Sequence, residues 1–158
     1  MNELALFTHV NESITTNDYY TPKWLFDAMG LEFDIDVCAP AHGIPWIPAK
    51  RWFSQADDGL AQDWAGSLVW MNPPYSKPEP WARKFIDNGN GVALMPCARS
   101  NWFNLMWNEC SAMVIAPVDM KFERPNEKSK TIAFHTMLFA IGDIGVEALH
   151  KLELGKIR

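Results

Sequence analysis

Ser67-Leu68-Val69-Trp70-Met71 is a short apolar run, and Asn72-Pro73-Pro74 ends it abruptly. Proline fixes φ, lacks a donor N–H and biases its predecessor towards extended backbone, so no regular element continues through the pair. The run does not alternate apolar with polar residues. It therefore predicts a strand covered on both faces, as in a parallel sheet between helical layers. In such open sheets ligands bind just beyond the carboxyl ends of the strands, which makes Asn72 to Tyr75 a candidate site.

Helix and strand signals alternate through the rest of the chain. Thr21 as cap, Pro22 at the first helical position and Gly30 as stop predict a helix over Lys23 to Met29. Phe33-Asp34-Ile35-Asp36-Val37 alternates apolar and acidic residues, which predicts a strand with one buried face. A loop with three prolines and one glycine, Cys38 to Pro48, precedes a short strand at Trp52-Phe53. Then come a helix over Pro80 to Asn88, a strand over Gly91 to Met95, a helix capped by Ser100 and a strand over Met113 to Ala116. The last strand, Thr136 to Ile141, is expected to pair with one near Met120 to Phe122 across a polar loop, Glu123 to Lys130. The pattern indicates an α/β fold with a mainly parallel sheet and an antiparallel hairpin near the C-terminus. Residues 1–19 read as a polar lead-in. No repeat or linker divides residues 20–158, which read as a single domain.

Composition narrows the function classes. A chain of 158 residues that is 48% hydrophobic can bury one core. No apolar run approaches a membrane span, and Met1 to Tyr20 lacks the layout of a signal peptide, so a cytoplasmic protein without a membrane partner is expected. Cys38, Cys97 and Cys110 are far apart and form no C-x-x-C pair, against a disulfide framework or zinc ribbon. Cys38 and His42 are four apart but sit in a Pro- and Gly-containing loop, so no metal is expected.

The formal charge is −5, whereas DNA-binding chains are often basic because Lys and Arg displace phosphate counterions. A small cationic face can coexist with a negative chain. Lys23, Lys50, Arg51, Lys77, Arg83, Lys84, Arg99, Lys121, Arg124, Lys128 and Lys130 are available for one. Most of the eight tryptophans read as packing, and Trp81 and Trp102, which flank polar motifs, as possible stacking surfaces for bases.

The tetrapeptide suits transfer of a methyl group to an exocyclic amine. The lone pair of such an amine is delocalised into its ring, so it is a poor nucleophile. Carbonyl acceptors that hold its two hydrogens favour the pyramidal, positively charged nitrogen of the transition state. The Asn72 side-chain oxygen and the Pro73 main-chain oxygen are such acceptors, preorganised by the prolines, and Tyr75 offers a flat face to an extruded base. With a sulfonium as methyl donor no strong base is needed, and catalysis is mostly positioning. A sulfonium cofactor needs a carboxylate for its amino group or ribose. Asp36 fits that need, with Asp57 and Asp58 as further candidates.

Several ordered stretches together resemble the phage-type DNA N6-adenine methyltransferase family over residues 18 to 142. They are Tyr20-Thr21-Pro22, Asp34-Ile35-Asp36-Val37-Cys38-Ala39-Pro40, Asp58-Gly59-Leu60 with Asp63-Trp64, Asn72-Pro73-Pro74-Tyr75-Ser76, then Pro96, Arg99, Trp102-Phe103 and Lys121-Phe122. The resemblance implies a Rossmann-like, seven-stranded core, S-adenosylmethionine as cofactor and DNA as partner. It implies cofactor contacts from Tyr20, Thr21, Pro22, Asp36, Cys38, Ala39, Asp58, Leu60 and Asn72. Catalysis is expected at Asn72, Pro73, Pro74 and Tyr75, and substrate contacts from Tyr75, Ser76, Lys77, Trp81, Arg99 and Trp102. The glycine-rich loop of wider methyltransferases is replaced by Val37-Cys38-Ala39-Pro40. Only roughly thirty residues separate Asp36 from the catalytic strand, which leaves no room for a separate target-recognition domain. Relaxed sequence specificity is therefore expected, with recognition confined to Ser76 to Pro80 and Glu123 to Lys130.

Other readings remain open at this point. The same acceptors suit RNA adenine, cytosine N4 or a protein glutamine amide. A non-catalytic cofactor- or DNA-binding module is a second alternative. A metal-dependent nuclease would need paired carboxylates, and no acid-x-Lys pattern accompanies Asp34 and Asp36. Monomer and dimer are both compatible with the sequence.

Overall fold

A computed structural model of the chain describes residues 19–124 and 127–158. Residues 1–18, most of the expected lead-in, and Pro125 and Asn126 lie outside them. The strands are β1 Phe33–Asp36, β2 Ala49–Trp52, β3 Val69–Met71, β4 Gly91–Pro96, β5 Ala112–Ile115, β6 Phe122–Arg124, β7 Glu127–Lys130 and β8 Thr136–Ile141. The helices are α1 Lys23–Met29, α2 Glu79–Asn88, α3 Asn101–Glu109 and α4 Asp143–Lys151.

Six strands form one sheet in the order β2-β1-β3-β4-β8-β5. β1 pairs in parallel with both β2 and β3, and β3 with β4. β8 enters antiparallel between β4 and β5. β6 and β7 form a separate antiparallel ribbon. This is the expected α/β class, a mostly parallel sheet with an antiparallel hairpin. Among the described residues the sheet has six strands rather than the seven the resemblance implies.

β3 is buried at all three residues, as its lack of alternation requires. Val69 and Met71 face α2 and α3, packing with Phe85 and Met106. Trp70 faces α1 and α4, with its ring 4.8 Å from that of Phe26 in an edge-on contact. Full burial of an apolar side chain of this kind contributes about 1.5–3 kcal/mol. The central strands are thus fixed between two helical layers, and their carboxyl ends are held in one rigid row.

Three local expectations are corrected. The late strand β8 pairs with β4 and β5, not with Met120 to Phe122. Thr136 to Ala140 are buried, and buried backbone N–H and C=O groups need partners, so β8 takes a strand on each edge. The expected polar loop is instead the ribbon β6–β7, and all four residues of β7 are exposed. Thr21 does not cap α1: Pro22 is the capping residue, with no side-chain cap, and the Thr21 hydroxyl serves elsewhere. Other punctuation behaves as read. Gly30 takes φ 60° and returns its N–H to the Phe26 carbonyl, the left-handed stop that glycine adopts without strain. Ser100 Oγ accepts the Phe103 N–H at 3.3 Å and starts α3.

Candidate active site

The carboxyl ends of β1, β3, β4 and β5 lie along one edge of the sheet, where β8 begins. Asp36 closes β1 and Asn72 follows β3 directly. Both line a narrow cleft, open to solvent, together with Tyr19, Tyr20, Thr21, Cys38, Pro40, Ile44, Ile47 and Trp70. The topology thus brings residues distant in sequence to one place, because the sheet sets these strand ends side by side.

Asn72 is held through its amide nitrogen. Nδ2 donates to Thr21 Oγ1 at 3.3 Å and to the Tyr19 carbonyl at 3.4 Å. The segment that provides these acceptors is itself tied down. Tyr20 and Glu123 exchange two backbone hydrogen bonds, each 2.8 Å. The Trp46 indole N–H donates to the Thr21 carbonyl at 2.8 Å.

Asp36 is only 3% exposed. Among the described residues its hydrogen bond is to the Cys38 N–H, at 3.2 Å, and no cation lies against it. Burial pushes its carboxyl up to about 7, the Cys38 N–H opposing the rise. The Cys38 thiol is pushed up to about 12 by burial and by the neighbouring Asp36, so it is no thiolate nucleophile. Asp34, two residues earlier, belongs to the surface. It pairs with Lys50 at 2.9 Å and accepts the Leu68 N–H, which together hold its carboxyl below the ordinary range.

Pro73 is buried and follows Asn72 at the end of β3. Tyr75 is also buried, 8% exposed. Its hydroxyl donates to the Leu94 carbonyl at 3.4 Å, and its ring meets Phe134 edge-on at 6.1 Å. The expected flat face is therefore packed in this structure, not open. Phe134 also lines a larger, open hollow between Ala116 to Phe122 and Ile132 to Thr136, at the same sheet edge. Ser76, Lys77 and Arg99 are exposed on that edge.

Other expected site residues stand apart. Asp58 and Leu60 do not line the cleft with Asp36. Their loop abuts β1: a Cβ on Gly59 would lie 2.2 Å from the Val37 carbonyl, so only glycine permits the approach. Asp57 accepts both the N–H and the hydroxyl of Ser54, which lowers its carboxyl and fixes the turn. Pro22 and Ala39 are buried next to cleft residues without lining it.

Trp81 and Trp102 are corrected outright. They are 9% and 8% exposed and belong to the core beneath α2 and α3. Trp81 stacks on Trp64 at 6.4 Å, and Trp102 meets Phe103 edge-on at 5.8 Å. Neither presents a ring to a base. Sequence reasoning missed Tyr19, Ile44, Trp46, Ile47 and Phe134, which carry no local motif and reach the site only through the tertiary fold.

The family model described as DNA N-6-adenine-methyltransferase (Dam) matches residues 9–133. The chain belongs to this family. The Dam-family match takes in the cleft, the tetrapeptide and the ribbon β6–β7. The chain is also similar to the DNA N-6-adenine-methyltransferase of Haemophilus phage HP1 (strain HP1c1), at 33% identity over 86 residues. That alignment covers 51% of this chain and 48% of the phage protein, so the chain spans about half the length of the curated relative it matches. No solved structure matches. No helix among the described residues is long and apolar enough to cross a membrane.

Proposed function

We propose that this Dam-family chain transfers a methyl group from S-adenosylmethionine to N6 of adenine in DNA. The observation that carries the reading is the Asn72 side chain at the carboxyl end of β3. Its amide nitrogen is occupied, its oxygen is left as an acceptor, and a buried carboxylate stands in the same cleft.

The cleft fits the cofactor by its chemistry. A carboxyl buried without a cation is costly to ionise, and a ligand carrying an ammonium group repays that cost. Asp36 would take that group, with Tyr20 and Cys38 beside it. When bound, the cofactor supplies a methyl group on a sulfonium, a good leaving group. Asn72 Oδ1 and the Pro73 carbonyl accept the two hydrogens of the target amine and favour the positive charge that develops on nitrogen. Phe134, whose ring meets Tyr75 edge-on, lines the neighbouring hollow, which would receive an extruded base. The exposed Ser76, Lys77 and Arg99, with the ribbon, would supply contacts to the DNA.

The test is transfer of labelled methyl to DNA, with RNA and a glutamine-containing peptide as parallel substrates, and identification of the modified base. Asn72→Ala should reduce kcat by about 10²–10³ and leave cofactor binding in place. Label appearing on RNA or peptide alone would reassign the substrate. An Asn72→Ala enzyme with wild-type turnover would refute the mechanism.

A further inference from the structure

We infer that Thr21 is a positioning residue for Asn72: the Tyr19 carbonyl sets which end of the amide faces the target amine, and the Thr21 hydroxyl takes the second amide hydrogen and locks the side chain in that pose. The inference rests on the methyl-transfer reading above and deepens it.

An asparagine amide presents two different ends, and only the oxygen end can accept from an amine. In the wrong orientation, Nδ2 would face the amine with its own hydrogens and oppose the reaction. The backbone carbonyl of Tyr19 decides the orientation, because it can only accept and so must meet Nδ2. A threonine hydroxyl can donate or accept, so alone it would tolerate either end. Once Tyr19 has chosen Nδ2, Thr21 Oγ1 accepts the second amide hydrogen at 3.3 Å. Both amide hydrogens are then used, and Oδ1 is the only polar atom of the side chain left for the amine.

Thr21 is built for this part rather than for solvent or for a helix cap. It is 1% exposed, one of the few buried polar side chains among the described residues. Its carbonyl is held by Trp46, and the preceding residue is held by the bridge to Glu123. Tyr19 is fixed in turn by its ring contacts, with Phe122 at 6.4 Å and with Arg124 stacked at 5.0 Å. The two acceptors thus belong to a segment anchored at several points, which is what preorganisation of Asn72 requires. The hydroxyl also explains why Thr21 is missing from the start of α1 as a cap.

The test compares Thr21→Val, which keeps the shape and removes the hydroxyl, with Thr21→Ser, which keeps the hydroxyl. Two quantities are read on the full chain: kcat for methyl transfer to DNA at saturating cofactor, and the Kd for S-adenosylhomocysteine by calorimetry. The expected result is a drop in kcat of about tenfold to a hundredfold for Thr21→Val. Its Kd should stay within about twofold, and Thr21→Ser should stay near wild type, since a loosened Asn72 amide acts on the transition state and not on binding. An unchanged kcat in Thr21→Val overturns the proposal. So does a loss that appears in Kd and vanishes at saturation, which would make Thr21 a cofactor ligand only. If Thr21→Val does not melt cooperatively, Thr21→Ala replaces it, and equal activities of the Ala and Ser variants overturn the proposal. A wild-type protein that methylates no DNA removes the functional reading itself. An active wild type with indifferent variants removes only the role of Thr21.

Discussion

Asp36→Asn should make the cofactor-free protein more stable at pH 8 and, on the proposed function, weaken its hold on the cofactor. Asn keeps the shape of the side chain and an oxygen for the Cys38 N–H, and removes the charge. The carboxyl sits near 7 in the fold, against an ordinary value of 3.8 in the unfolded chain. At about 1.4 kcal/mol per pH unit, ionising it in the fold costs about 4 kcal/mol at pH 8. The sign follows from proton counts. Between the two values the folded state binds more protons than the unfolded one, so stability falls as pH rises through that window. The penalty is full above about 7, smaller near pH 5, and absent below 3.8.

Thermal or urea unfolding of the two proteins at pH 5 and pH 8 measures this directly. The stability difference between variant and wild type should reach a few kcal/mol at pH 8 and shrink to about 1–2 kcal/mol at pH 5. Titration with S-adenosylhomocysteine at both pH values gives the second half. Wild-type affinity should rise with pH, because the ligand's ammonium group calls for ionised Asp36, and Asp36→Asn should bind more weakly with a flatter pH profile. A variant no more stable than wild type at pH 8, or a difference that does not change between pH 5 and 8, would refute the assignment of a buried, unpaired carboxyl. A variant that binds cofactor as tightly as wild type would refute its role in the cleft.

Further outcomes test the rest of the site. Trp102→Ala should cost about 3–5 kcal/mol in unfolding free energy, as loss of a core ring does. The folded variant should bind DNA with unchanged affinity, whereas a stacking ring would cost about 1–3 kcal/mol of DNA binding per base. Replacing the exposed Lys128 and Lys130 of the ribbon with alanine should weaken DNA binding evenly across sequences. The slope of log affinity against log salt should fall by about two, read by fluorescence anisotropy at several salt concentrations. An unaltered slope would place the phosphate contacts elsewhere.

The order of elements was legible where one local signal dominated. β3 announced itself because Val69, Trp70 and Met71 are all buried and prolines follow at once. Gly30 and Ser100 marked helix ends through backbone chemistry that acts within one turn. α4 was not legible, and Gly145 is the reason. A glycine inside a helix lowers its propensity by about 1 kcal/mol and obscures the pattern. The structure explains its presence: a Cβ there would lie 2.5 Å from the Gly91 carbonyl, so the helix can approach β4 only through glycine. The partner of β8 was illegible for a different reason. Strand pairing is set by which edges are free after the whole sheet assembles, and β5 and the ribbon are both near in sequence.

The same division runs through the site. That Asp36 and Asn72 meet in one cleft was legible because each stands at a strand end, and the position of a strand end follows from local pattern. Trp81 and Trp102 were misplaced because proximity in sequence to a polar motif does not say which side of a helix a ring leaves from. α2 and α3 turn those faces to Met71 and Met95, and the rings are consumed as core. Thr21 shows the converse. Its sequence context, before Pro22 and a helix, favours a cap, yet the nearest demand in space is the Asn72 amide. A hydroxyl satisfies whichever partner the fold presents, and here the fold presents the amide that, on the proposed function, must turn its oxygen to the target amine.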